Sequence, residues 1–160
     1  MTKAAKHDGG TRTPGASMRR YLEVVQSLVA AAADVDKAYN VVIPPPPRSS
    51  VNPHLAVVQA LVAAGADVDK ADNDGDTPIS QASYDGHLEV FQALVAAEAD
   101  VNKGTNNDGG TPISPASNKG HLEVVQALIA AEADVDKANN DGGTPISRAA
   151  GNGHLEVVQA

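Results

Sequence analysis

The sequence predicts an all-α solenoid, a stack of helical units in which each unit covers the next. Three observations predict it. A nine-residue phrase, clearest as His121-Leu122-Glu123-Val124-Val125-Gln126-Ala127-Leu128-Ile129, returns at Tyr21, His54, His87 and His154, with steps of 33, 33, 34 and 33 residues. A fixed period of that length marks a stacked array and not a globule with one central core. Two further phrases keep the same period: Ala66-Asp67-Val68-Asp69 returns at Ala99 and Ala133, and Thr77-Pro78-Ile79-Ser80 returns at Thr111 and Thr144. Finally, the apolar content of 42% over 160 residues is mostly Ala and Val, with one Phe and no Trp. Small side chains suit close helix stacking, so stability must come from neighbouring units covering each other's apolar faces.

Taken in order, residues 1–7 read as a disordered basic leader and residues 8–160 as one repeat domain. Its units span about 8–38, 39–71, 72–106, 107–139 and 140–160, the last one incomplete. In the first unit, Leu22, Val25, Leu28 and Val29 recur at helical spacing while Glu23 and Gln26 face away. In the second, the Thr-Pro phrase is lost and residues 43–53 are proline-rich and irregular. Pro44 to Pro47 remove backbone donors and favour a polyproline II segment. The stripe resumes with Leu55, Val58, Leu61 and Val62, and Gly65 supplies a left-handed C-cap.

The third unit is the most regular. Asp74-Gly75 signals a turn, Thr77 is the expected N-cap with Pro78 at the first helical position, and Gly86 ends the first helix. Leu88, Phe91, Leu94 and Val95 form the expected buried stripe of the second helix, with Glu89 in its first turn, where the helix dipole favours an anion. The fourth unit carries one extra residue in its loop, within 103–108. It also places Pro115 where Gln81 and Arg148 stand in its neighbours. With Thr111 as N-cap this is the fourth helical position, so distortion is expected there. The fifth unit stops within its second helix, which predicts exposed apolar surface at that end.

These residues resemble the ankyrin repeat, over roughly 8–160. The family's D-x-x-G, T-P-L-H, A-A, G-H-L-E-V-V, L-L and G-A-D-V-N phrases are matched by Asp72 and Gly75, Thr77 to Ser80, Ala82-Ser83, Gly86 to Phe91, Leu94-Val95 and Asp100-Val101-Asn102. The resemblance implies antiparallel helix pairs joined by β-hairpin-like loops, and a concave surface that binds proteins. Two departures stand out. Ser80, Ser114 and Ser147 replace the family's histidine in T-P-L-H, so its inter-unit hydrogen bonds must be absent or made differently. The C-cap glycine survives only as Gly65, with Glu98 and Glu132 in its place in later units; left-handed geometry there costs about 1 kcal/mol or more. The resemblance also makes Asn102 a candidate for asparaginyl hydroxylation, beside its plain reading as a turn residue.

Charge and motifs narrow the function. The formal net charge is −8; residues 1–20 carry +4 and the remainder −12. An acidic body repels phosphate backbones, so a basic protein is the expected partner, with no nucleic acid. Without Cys there is no disulfide and no thiolate zinc site, which fits a reducing, intracellular and cytoplasmic setting. No apolar run reaches the roughly 20 residues of a membrane span. The recurring histidines His54, His87, His121 and His154 lie one unit apart, about 10 Å, too far to share one ion; each is read as capping the start of its second helix. Asp72-Asn73-Asp74-Gly75-Asp76 is similar to a calcium loop, but an EF-hand would need acidic residues at Lys70 and Gln81. No nucleophile and base are paired, so no catalytic residue, enzyme activity, metal or cofactor is expected. The proline run through Arg48 is read first as a linker or a degenerate helix, and second as a docking ligand for an SH3-, WW- or EVH1-type groove.

Positions that differ between copies are those packing does not dictate. They are Asn73, Asp74, Asp76, Gln81, Tyr84, Asp85, Asn107, Asp108, Asn118, Lys119, Asn140, Asp141, Arg148 and Asn152. They form the candidate partner-binding set on the loop tips and the exposed side of the first helices, with Tyr84 as its anchor. The alternatives are drift on a solvated face, a spacer or fragment of a larger protein, a calcium-responsive module, and end-to-end self-association through the last unit.

Overall fold

The computed structural model describes residues 53–72, 75–104 and 108–160. The first unit, the proline run, Asn73, Asp74 and Asn107 lie outside them. Seven helices and no strand occur among the described residues: α1 Pro53–Ala63, α2 Pro78–Asp85, α3 Leu88–Ala96, α4 Ile113–Lys119, α5 Leu122–Ala130, α6 Pro145–Gly151 and α7 Leu155–Val158. This is the predicted all-α solenoid.

Local chemistry sets the first helix of each unit. At α2, Thr77 Oγ1 accepts the Ser80 N–H at 3.3 Å, Pro78 follows the cap, and Gly86 closes the helix at φ +73°. At α6 the same cap recurs, with Thr144 Oγ1 accepting the Ser147 N–H at 3.3 Å. At α4 it fails. The expected cap Thr111 makes no such bond, and the helix starts beyond Pro112. Pro115 is the cause, because it lacks the N–H that Gln81 donates to the Thr77 carbonyl and Arg148 to the Thr144 carbonyl, each at 3.0 Å. The chain tightens instead. Ser114 N–H turns back to the Thr111 carbonyl at 2.9 Å, and Ala116 N–H reaches the Pro112 carbonyl only at 3.5 Å.

The second helices bury a stripe shifted slightly from the expected one. In α3 the buried residues are Val90, Phe91 and Leu94, while Leu88 and Val95 are only partly buried. Val90 turns inward because the core-facing stripe of a sandwiched helix is wider than the spacing of its largest residues. The same positions are buried in α5, as Val124, Val125 and Leu128. After these helices Glu98 and Glu132 take φ +66° and +62°, where Gly65 stands at +82° after α1. Both glutamates are exposed, so replacing either by glycine removes little beyond backbone strain. Glu98→Gly and Glu132→Gly are each expected to raise the unfolding free energy by about 1 kcal/mol, read from urea denaturation.

The units stack in register. First helices α2, α4 and α6 pack on one another, and second helices α1, α3, α5 and α7 do the same on the other side. One continuous core runs through the stack. Ile79 and Ile113, at 0% and 2% exposed, are each covered by the following unit, whereas their counterpart Ile146 is 55% exposed.

Candidate protein-binding surface

The wiring between units decides which side chains remain available to a partner. His121 Nε2 lies 3.0 Å from the Tyr84 carbonyl, and His154 Nε2 lies 3.1 Å from the Asn118 carbonyl. A carbonyl only accepts, so Nε2 carries the hydrogen and donates. The expected capping role is corrected: His87, His121 and His154 sit at helix starts but make no side-chain cap bond. Both His121 and His154 fasten their unit to the preceding one instead. The ring needs a bare backbone beneath it. A Cβ at Gly86 would stand 2.7 Å from His121 Nδ1, and one at Gly120 2.5 Å from His154 Nδ1. These links supply inter-unit hydrogen bonds although Ser80, Ser114 and Ser147 carry no imidazole.

A second ladder runs along the loops after the second helices. Asp69 Oδ1 accepts the Asp100 N–H at 2.9 Å, and Asn102 Oδ1 accepts the Asp134 N–H at 2.7 Å. Asn102 also donates through Nδ2 to the Glu132 carbonyl at 3.4 Å. It therefore works between units, which a reading as a local turn residue misses.

The loop tips close on themselves. Asp72 Oδ1 accepts the Asp76 N–H at 2.9 Å, and Asn139 Oδ1 accepts the Gly143 N–H at 2.7 Å. In the Asp72–Asp76 loop, Asp72 Oδ1 is thus used on the loop's own backbone, as a turn residue's side chain commonly is. No group of three or more His, Cys, Asp or Glu able to hold a metal occurs among the described residues.

Much of the candidate set is drawn into pairs. Gln81 Nε2 donates to Asp85 Oδ2 at 2.8 Å. Lys119 Nζ stands 4.6 Å from the centroid of the Tyr84 ring, a cation–π contact across two units. Asn152 Nδ2 donates to Asn118 Oδ1 at 2.9 Å, and Arg148 Nη2 to Asp108 Oδ2 at 3.2 Å. The last pair is partly solvated, so its own contribution is small. Gln81, Asp85, Asn118, Arg148, Asp108 and Asp76 are half-buried, not fully exposed as expected. Tyr84, Lys119, Asn140, Asp141 and Asn152 are the exposed members. Of these, Asn140 is tied through its backbone N–H to the Asp108 carbonyl at 2.7 Å. Asn73, Asp74 and Asn107 lie outside the described residues.

Charge is not spread as the composition suggested. Most described carboxylates sit on the second helices and the loops that follow them, as with Glu89, Glu123, Asp100 and Asp134. The first-helix side carries fewer, among them Asp76, Asp85 and Asp141. Net charge alone could not show this.

Stacked helix pairs, with bare glycines under the inter-unit imidazoles, define a repeat solenoid. A profile described as ankyrin repeats (many copies) matches residues 49–95 and 116–160. The chain belongs to the ankyrin-repeat family. No match to it was found among curated proteins. Ankyrin repeats are in general protein–protein interaction modules and typically non-catalytic. Among the described residues no helix is long and apolar enough to cross a membrane.

Proposed function

We propose that this chain is a non-catalytic protein-binding module whose partner lies across the first-helix face and the adjoining loop tips. The observation that carries this reading is the convergence of the variable residues there, with the exposed Tyr84 ring held against Lys119. An aromatic already fixed by a neighbour loses little entropy on contact, which suits an anchor. A basic partner is part of the proposal, supported by Asp76, Asp85 and Asp141 on this side. Such a partner associates quickly and loses affinity as salt rises.

The test is retention of proteins from lysate by the parent chain and by a Tyr84→Ala, Asp141→Lys variant, both checked for helix content. Asp108 is left intact because its pairing with Arg148 would confound folding with binding. A specifically retained protein is expected to bind the variant at least about thirtyfold more weakly, as loss of a hot-spot aromatic implies. Equal retention by both chains overturns the proposed face, and retention of nothing by either favours a spacer role.

A further inference from the structure

Asn152 and Gly153 form the only Asn–Gly step in the 160 residues. The pair lies in the turn that follows α6, and Asn152 is exposed. Covalent structure alone keeps an asparagine carboxamide carbon within reach of the next residue's backbone nitrogen, since the two can close a succinimide ring. A side chain on that next residue hinders the approach. Asn102 and Asn118 are followed by Lys, Asn139 by Asn and Asn140 by Asp. Gly153 has no Cβ and turns freely, and nothing lies within 4 Å of the place a Cβ would occupy.

The folded turn holds this reaction back. Ring closure requires Asn152 Cβ and the Gly153 nitrogen to eclipse each other about the Cα–C bond. At ψ 3° the backbone nitrogen of Asn152 is eclipsed there instead, so the turn must swing open first. Hydrogen bonds resist that opening. Gly153 N–H donates to the Ala150 carbonyl at 3.1 Å, and Asn152 Nδ2 donates to the Arg148 carbonyl at 2.9 Å and to Asn118 Oδ1 at 2.9 Å. The Arg148 carbonyl only accepts, which fixes the carboxamide nitrogen on that side. The bond to Asn118 alone reaches the preceding unit. Beyond the turn, α7 has four residues and its Leu155 is 64% exposed. Segments with so little buried apolar contact open at low free energy.

We propose that Asn152 is a site of spontaneous deamidation, and that its bond to Asn118 is the brake on it. When the turn opens, the Gly153 nitrogen gives its proton to solvent and bonds to Asn152 Cγ. The Cγ–Nδ2 bond breaks, and the nitrogen takes up a proton and leaves as ammonia. Water then adds to either carbonyl of the succinimide and opens the ring, leaving aspartate or isoaspartate at position 152. The ionised product only accepts, so it can donate neither to the Arg148 carbonyl nor to Asn118 Oδ1. This side-chain link between the fourth and fifth units is lost, and one negative charge is added. The conversion does not depend on what binds the first-helix face.

The test incubates the full chain in mildly alkaline buffer and follows each asparagine by mass spectrometry of its peptides. Cleavage after Lys137 and Arg148 separates Asn139 and Asn140 from Asn152. Conversion at Asn152 is expected to run ahead of both; equal or slower conversion there overturns the site. Asn118→Ala removes the acceptor and is expected to speed conversion at Asn152 about fivefold, the usual worth of one hydrogen bond. Asn118→Asp retains an acceptor and is expected to keep the parental rate. An unchanged rate in Asn118→Ala overturns the brake, and so does equal acceleration in both variants, which would mark a general loosening of the fifth unit.

Discussion

Phe91→Ala is expected to lower the unfolding free energy by about 3–4 kcal/mol, the range for a buried aromatic cut back to a methyl. Phe91 is 1% exposed and is the only phenylalanine in the chain. Ile79, Leu94 and Val124 of the same core cluster are already fully or nearly fully buried, so the gap cannot close cheaply. Because each unit touches only the next, the loss falls on one junction and is not shared over a central core. Total stabilities of about 5–15 kcal/mol make this a large fraction. Urea denaturation should show an earlier midpoint, and a second transition would show that the stack has parted at that junction.

Gly120→Ala is expected to cost about 2–3 kcal/mol from two sources that can be separated. A left-handed alanine at φ +76° costs about 1 kcal/mol or more. The added Cβ would also stand 2.5 Å from His154 Nδ1, forcing the ring away and breaking its bond to the Asn118 carbonyl, worth about 1 kcal/mol. Gly153→Ala supplies the control. Its φ is +75°, but nothing lies within 4 Å of the new Cβ, so only the backbone cost of about 1 kcal/mol should appear. Equal losses for the two variants would show that the histidine does not couple the units.

Elements fixed by short-range chemistry could be read from the sequence. Thr77 with Pro78, Thr144 with Pro145, Gly86 and the strain at Glu98 and Glu132 all follow from contacts within a few residues. The distortion at Pro115 was legible for the same reason, although the resulting failure of Thr111 as a cap was not. Comparing copies position by position was less informative about contacts. It aligns like with like, whereas units touch through unlike positions: Arg148 meets Asp108, Lys119 meets Tyr84, and His154 reaches a carbonyl 36 residues earlier. A backbone carbonyl has no signature in the sequence. Hence the histidines were placed correctly along the chain but given the wrong bond, and several variable residues proved to be partners of one another.

The proposed binding face is that of the first helices, not the more acidic face of the second helices. The direct measurement compares retention of the same bound protein by two folded variants, Tyr84→Ala with Asp141→Lys on one face and Gln92→Lys with Gln126→Lys on the other. Loss confined to the first variant is the predicted result. Loss confined to the second would contradict the proposal and move the binding surface to the second helices.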